Sequence, residues 1–228
     1  MGTAWRQERK YVVSRETALA LQSSLELILR RDPFCRPDGE YTVRSQYYDS
    51  LFDRELQDNL DGLLEKRKLR IRIYDTDSDR ARLEYKCRSG SRGSKKVIPI
   101  GRGQAEAMER GDFSFLAETG REPELFLYQR LMQGIYRPKV IVEYERRAYA
   151  YPAGDTRVTF DRDIRTAVTQ QGIFSRDLSF VPSADPEFIV MEVKFRDALP
   201  EPVRELLEKH GLRETAHSKY ALARQHMR

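Results

Sequence analysis

Basic and large apolar residues alternate one by one along residues 66–74, KRKLRIRIY. Because successive side chains of a β-strand point to opposite sides, this alternation predicts a strand with two unlike faces. Its basic face carries Lys68, Arg70 and Arg72, and its apolar face carries Leu69, Ile71 and Ile73. The apolar face can join a core, while the basic face can meet either water or an anion.

The same pattern recurs along the chain. The further segments predicted as strands are Trp5–Val13, Tyr41–Asp49, 82–88 with its hairpin return 97–100, 139–151, 156–161 and 187–195. Several polar faces carry an acid and a base two residues apart, as in Glu8/Lys10, Glu84/Lys86 and Glu192/Lys194. Some six predicted strands thus carry a row of charged residues on one face and a row of apolar residues on the other.

Apolar residues at helical spacing, together with turn signals, predict the segments between the strands. Ser14 is the predicted N-cap of a helix that ends near Arg30. The segment Ser89–Lys96 is predicted as a basic hairpin loop, and Pro152 and Gly154 as a turn. The other predicted helices are 51–60, 104–109, 122–134, 202–210 and a last one that contains Ser218–Lys219–Tyr220.

Two arrangements can accommodate the charged rows. An open sheet would turn them to water, where charged residues usually lie. A closed antiparallel barrel would enclose them and turn its apolar face outward against the helices, which reverses the usual filling of small barrels. Enclosing so many cations requires carboxylates, water or a polyanionic ligand as compensation. Because acids and bases occupy matched positions on several strands, we predict the closed barrel with a long, highly charged ligand.

The composition bounds the class of protein. The chain has 228 residues, 39% hydrophobic and 34% charged, which is typical of a globular domain with a sizeable core. The net charge of +5 favours an anionic partner, with nucleic acid, polyphosphate and nucleotide all open at this point. Cys35 and Cys87 are too few for a disulfide framework. No apolar run is long enough to span a membrane, so we expect a cytoplasmic protein whose membrane partner, where it has one, is a separate chain.

Short motifs occur in order from about residue 5 to residue 224. They are Glu8-x-Lys10-Tyr11, Ser45-x-Tyr47-Tyr48-Asp49, Arg67-x-x-Arg70-x-Arg72-x-Tyr74, Glu84-x-Lys86, Tyr144-x-Arg146, Arg157-x-Thr159-x-Asp161, Glu192-x-Lys194 and Ser218-Lys219-Tyr220. None is specific alone, but their order resembles the VTC domain of bacterial type. That domain is the polyphosphate polymerase domain of vacuolar transporter chaperones, in the triphosphate tunnel metalloenzyme superfamily.

The resemblance implies an α+β fold over residues 1–228, a single domain built on a closed, antiparallel, eight-stranded β-barrel tunnel with a charged interior and flanking helices. It also implies a phosphotransferase that moves the terminal phosphate of ATP, or of another nucleoside triphosphate, onto polyphosphate with Mn²⁺ or Mg²⁺. A tunnel triphosphatase and a non-catalytic polyphosphate- or nucleotide-binding module remain as alternatives.

The resemblance also implies roles for individual residues. The predicted catalytic residues are Arg70, Arg72, Lys86, Arg146 and Lys219. The predicted phosphate-binding residues are Lys10, Tyr144, Arg157, Lys194 and Ser218. The first choice for the metal is Glu192, with Glu8 and Glu84 as second choices. These residue types suit phosphoryl transfer, which requires mainly positioning and neutralisation of charge.

The motif order departs from the superfamily at one position. Tunnel triphosphatases typically open with Glu-x-Glu-x-Lys, whereas this chain has Arg6, Glu8 and Lys10 there. The loss of one carboxylate favours the polymerase-like branch over a hydrolase that needs a second metal. Nucleic acid is disfavoured as a partner, because carboxylates interleaved with the cations would repel its backbone.

Overall fold

The computed structural model of the chain describes residues 7–89, 92–151 and 155–226. The strands are β1 (Gln7–Ser14), β2 (Arg30–Arg31), β3 (Tyr41–Asp49), β4 (Glu65–Ile73), β5 (Arg80–Ser89), β6 (Arg92–Gly101), β7 (Arg137–Ala150), β8 (Arg157–Ala167), β9 (Val181–Pro182) and β10 (Phe188–Phe195). The helices are α1 (Arg15–Leu25), α2 (Arg54–Leu60), α3 (Arg102–Glu109), α4 (Ser114–Glu118), α5 (Glu122–Gln133), α6 (Glu201–Lys209) and α7 (Lys219–Gln225).

The strand predictions are confirmed in type and differ at some ends. The apolar face of β4 is buried, with Leu69, Ile71 and Ile73 at most 1% exposed. The side chain of Ser14 caps α1 as predicted, by accepting from the backbone N–H of Thr17 at 3.2 Å. That helix ends at Leu25 rather than near Arg30, because the chain next pairs with β7 as β2.

The predicted hairpin loop is shorter than expected, because β6 already begins at Arg92. Lys95 and Lys96 therefore belong to a strand rather than to a loop. Some predicted features lie outside the described residues, namely Trp5 and Arg6, Gly90 and Ser91 of the loop tip, and the turn residues Pro152 and Gly154.

The chain divides into two compact units. The first comprises Met1–Val43, Glu143–Arg165 and Pro182–Lys219, and the second comprises Arg44–Val142, Thr166–Val181 and Tyr220–Arg228. In the first unit, β10 pairs antiparallel with β1 on one side and with β8 on the other. Residues of α1 and α6 pack with those strands in one apolar core that includes Leu21, Met191 and Val203.

In the second unit, β3, β4, β5 and β6 pair in sequence, each antiparallel to the next. Their apolar face shares a core with α3, α4 and α5 that includes Ile71, Leu83 and Met108. The carboxylate of Asp49, at the end of β3, accepts from the backbone N–H groups of Glu55 and Leu56 at 2.9 Å each. This buried acceptor fixes the start of α2, whose own N-cap residue makes no side-chain bond.

The predicted closed, eight-stranded barrel is wrong. The strands follow the order β1-β10-β8-β7-β3-β4-β5-β6, with β2 beside β7 and β9 beside β8. A barrel needs a ladder between its first and last strands, and within the described ranges none joins β1 to β6. The protein instead has an open, ten-stranded antiparallel sheet flanked by helices.

The two terminal strands explain why the sheet stays open. β6 carries Pro99, which has no N–H to donate, and two lysines, Lys95 and Lys96; these residues typify edge strands. Along β1, the carbonyl of Lys10 accepts from the backbone N–H of Thr215 at 2.8 Å. The carbonyl of Lys10 is therefore occupied by an irregular segment rather than by another strand.

No helix in the described part of the chain is both long enough and apolar enough to cross a membrane.

Candidate functional site

In the first unit, the pairing of three strands sets charged residues side by side. The rows run across β1, β10 and β8, and they are Lys10–Glu192–Thr159 and Glu8–Lys194–Arg157. Because directly opposed residues share a face of the sheet, five ionisable groups and one hydroxyl are placed on one surface. The sequence alternation predicted this face for each strand, and the ladder register brings the three strands into line.

Ion pairs connect the members of these rows. The ammonium of Lys194 lies 3.0 Å from Glu192 Oε2 and 3.9 Å from Glu8 Oε2. Lys10 Nζ lies 3.2 Å from Glu8 Oε1 and donates to the carbonyl of His217 at 3.0 Å. Burial alone would raise the pKa of Glu192, but Lys194 and Lys10 hold it well below its usual range. Glu192 is therefore a carboxylate over the whole neutral range.

Asp161 is the buried centre of the same unit. It is 0% exposed, and Arg146 binds it through Nε at 2.6 Å and Nη2 at 2.7 Å. Lys219 Nζ adds a third contact at 2.7 Å. Burial alone would raise the pKa of Asp161, but these two cations lower it to about 2. Asp161 thereby holds two predicted catalytic cations in defined positions.

The remaining predicted residues of this unit have distinct surroundings. The buried ring of Tyr144 lies 5.1 Å from the Arg146 guanidinium carbon and 4.9 Å from Lys219 Nζ, so it supports both cations through cation–π contacts. Arg157 is drawn away from its row, because its Nη2 lies 2.6 Å from Asp32 and 2.9 Å from the hydroxyl of Tyr41. Ser218 immediately precedes α7 and is partly buried.

The second unit has its own cluster around Glu84, which is 2% exposed. Arg70 Nη2 lies 2.6 Å from Glu84 Oε2, while Arg72 Nη1 and Lys95 Nζ lie 3.5 Å and 2.8 Å from Oε1. Burial alone would raise the pKa of Glu84, but the three cations hold it far below its usual range. Burial, together with Arg70 and Arg72, lowers the pKa of Lys95 to about 8.

A row of lysines crosses the same unit. Lys86 on β5 lies opposite Lys68 on β4 and opposite Lys95 on β6. Like charges placed directly opposite each other on neighbouring strands destabilise a sheet. Three adjacent lysines are therefore an arrangement in which a bound polyanion would relieve repulsion.

Aromatic residues connect Arg70 to α7. Arg70 Nη1 donates to the hydroxyl of Tyr47 at 3.0 Å, and the Tyr47 ring stacks on that of Tyr220 with a centroid distance of 5.2 Å. The hydroxyl of Tyr220 donates to Asp49 Oδ2 at 2.5 Å. The side chain of Arg70 is thus positioned by a carboxylate on one strand and by a braced tyrosine on another.

Sequence reasoning missed two members of these clusters. Asp161 stood on the correct face of β8 but received no role, because its partner Arg146 is on another strand. Lys95 was assigned to a loop, because its neighbours are glycine, serine and lysine. If the strand pairing of β5 had been extended through the hairpin into the following residues, Lys95 would have been placed beside Lys86.

The donor set of the first unit fits a metal ion that arrives with a phosphate ligand. Among residues 7–89, 92–151 and 155–226, no group of three or more His, Cys, Asp or Glu side chains could hold a metal by itself. Glu8 and Glu192 both lie beside Lys194, and each has a lowered pKa although burial alone would raise it. Mg²⁺ is commonly held by one or two carboxylates together with substrate phosphates, which matches this pair.

Solved structures with the same fold span nearly the whole chain. A candidate adenylyl cyclase from Hippeastrum, described as having a dominant triphosphatase activity, has a TM-score of 0.57 and 14% identity, with 98% of this chain and 96% of that chain covered. A candidate adenylate cyclase from Bacillus halodurans has a TM-score of 0.54 and 16% identity, with 96% of each chain covered. Another from Vibrio parahaemolyticus has a TM-score of 0.53 and 10% identity, with 97% and 98% covered.

These likenesses show the class by fold alone, an antiparallel sheet flanked by helices. The VTC domain matches residues 5–228, and the chain therefore belongs to the VTC domain family. The resemblance drawn from the ordered motifs is thereby confirmed. No curated protein matches the chain significantly.

Asp161 generates a prediction about stability in acid. Its folded pKa of about 2 lies below the ordinary value of 3.8, so its contribution is complete above about pH 4 and is lost as the pH falls through 2. We expect D161N to lower the unfolding free energy at pH 7 by about 3 kcal/mol, since it leaves Arg146 and Lys219 without their buried counter-ion. The difference from wild type should shrink towards pH 2.

Urea unfolding between pH 2 and pH 7 measures this difference. The exposed Asp177 supplies the control, and D177N should follow the wild-type curve. An equal loss for D161N at every pH would show that the carboxylate charge is not what holds the two cations.

Lys95 generates a prediction about ligand binding. Because its pKa is about 8, it loses its charge above that pH, and tripolyphosphate should then bind more weakly. We expect K95Q to bind less tightly than wild type at pH 7 and to approach wild type at pH 9.5, when titrated by calorimetry. The neighbouring Lys96, which pairs with Glu124 at 3.2 Å, supplies the control K96Q. A constant ratio between K95Q and wild type at all pH values would contradict the assignment.

Proposed function

We propose that this chain is a polyphosphate polymerase-like phosphotransferase that moves the terminal phosphate of ATP onto a polyphosphate chain. The observation that carries the proposal is the lysine row of Lys68, Lys86 and Lys95 beside Arg70 and Arg72. Cations placed side by side on neighbouring strands repel one another, so the surface suits a ligand with several negative charges. Membership of the VTC domain family supports the same substrate class.

The cations of the first unit form a phosphate-binding cluster of their own in this proposal. Arg146 and Lys219 are held in place by Asp161 before any ligand binds, which is the preorganisation that favours a transition state rich in negative charge. Lys10 and Lys194 would contribute further contacts, and Tyr144 and Ser218 could donate hydrogen bonds. The proposal gives Arg157 a weaker part, because Asp32 already binds it.

The reaction needs no nucleophile from the protein. A terminal oxygen of the polyphosphate chain attacks the γ-phosphorus of ATP, the bond from that phosphorus to the β–γ bridging oxygen breaks, and ADP leaves. The tasks for the protein are to position phosphate groups and to offset their charge. Both clusters consist of residues suited to these tasks.

Mn²⁺ or Mg²⁺ would be held by Glu192, assisted by Glu8. When bound, the metal would offset charge on the phosphate oxygens. Glu84 is left out of this role, because its two oxygens are already bound by Arg70, Arg72 and Lys95.

Incubation with ATP and Mn²⁺, followed by gel electrophoresis of the products, tests the proposal. We expect wild type to make long polyphosphate chains. R70Q should make them at a rate at least about 100-fold lower, since an electrostatic contact to the transferring group is lost. Arg176, an exposed arginine that also pairs with a carboxylate, Asp77, supplies the matched control R176Q, which should behave as wild type.

The products separate the alternatives. Free phosphate without polymer would identify a triphosphatase and contradict the polymerase proposal. Binding of tripolyphosphate without turnover of ATP under either metal would identify a non-catalytic binding module.

A further inference from the structure

Thr159 has a buried hydroxyl on the charged face of the first unit. The residue is 2% exposed, and its Oγ1 has no hydrogen-bond partner among the described residues. Thr166 on the same strand shows the usual situation, because its buried hydroxyl donates to the carbonyl of Ile141 at 3.1 Å. An unpaired buried hydroxyl destabilises the folded state, so its position indicates a partner other than the described residues as they are arranged here.

The register of the sheet identifies the nearest candidate partner. Thr159 lies directly opposite Glu192, a spacing at which the two side chains are neighbours on one face. Glu192 is turned to Lys194, at 3.0 Å, with Arg146 Nη2 at 4.0 Å. The Glu192 carboxylate thus faces cations that a bound phosphate would also attract.

We propose that Thr159 is a positioning residue, whose hydroxyl donates a hydrogen bond to the Glu192 carboxylate when metal and polyphosphate are bound. The inference rests on the proposed function, because it takes Glu192 as the metal ligand. Phosphate oxygens would draw Lys194 away from Glu192, and the released carboxylate oxygen would need a new donor. Carboxylates that bind metals are generally held by such a second residue, and Thr159 is the uncommitted donor beside it.

Two variants separate this role from a structural one. T159V keeps the shape of the side chain and removes the hydroxyl, whereas T159S keeps the hydroxyl. The affinity for tripolyphosphate is measured by calorimetry with Mn²⁺ and again with EDTA, and the ratio gives the gain due to the metal. We expect T159V to reduce that gain about 10- to 100-fold, with little change in EDTA, and T159S to restore it.

Thermal melting of the protein without added ligand gives a second measurement, in which T159V should not lower stability although it lowers the metal-dependent gain in affinity. T159V should melt at or above the wild-type temperature, because it removes an unpaired polar group. The control T166V should melt lower, because it removes a hydrogen bond that is already made.

In an E192Q background, T159V should cause no further loss of the metal-dependent gain in affinity, since Thr159 acts through Glu192.

The outcomes distinguish this inference from the proposed function. A T159V protein with the wild-type metal-dependent gain overturns the role of Thr159 and leaves the proposed metal site intact. A lower melting temperature for T159V, with a loss that T159S does not restore, identifies a structural role and also overturns the inference. If E192Q binds Mn²⁺ with tripolyphosphate as tightly as wild type, Glu192 is not the metal ligand, and both the proposed metal site and the role of Thr159 are overturned.

Discussion

Buried carboxylates bound by several cations are the interaction on which the rest of the site depends. Asp161 holds Arg146 and Lys219, and Glu84 holds Arg70, Arg72 and Lys95. Each carboxylate is almost fully buried and would be unstable there without its cations, while the cations would repel one another without the carboxylate. Each cluster therefore folds as a set, and its side chains are fixed before a ligand arrives.

The grouping of cations in the second unit connects its stability to its proposed function. Arg70, Arg72 and Lys95 surround Glu84, and Lys68 and Lys86 lie opposite each other on neighbouring strands. Like charges placed directly opposite each other destabilise strand pairs. A polyphosphate ligand, with one negative charge or more per phosphate, would offset the repulsion between these cations along its length.

Alternation alone sufficed to predict which residues share a face. A strand with basic and apolar residues in turn has only one way to bury its apolar side, and β4 buries Leu69 and Ile71 as expected. Closure of the sheet could not be predicted in this way, because it depends on the two outermost strands. Lys10 binds the backbone of the distant Thr215, and Pro99 lies on the other outermost strand, so no periodic pattern within one strand decides the matter.

In the candidate site, too, the face on which a residue lies was predictable and its contacts with other strands were not. The faces of Lys10, Arg70 and Glu192 were predictable, but the partner of each cation was not, because ion pairs form between strands that are far apart in sequence. Arg157 binds Asp32, a residue outside every recognised motif. Lys95 was missed because composition favoured a loop, whereas its pairing with Lys86 across the hairpin makes it part of β6.

A crystal structure of the protein with tripolyphosphate and Mn²⁺ tests the central claim most directly. The claim is that phosphate binds to the charged face of the sheet, with the metal at Glu192. The account predicts phosphate density against the cations that Asp161 and Glu84 hold, and an anomalous manganese peak beside Glu192. Manganese elsewhere, or phosphate bound only to exposed surface cations, would contradict it.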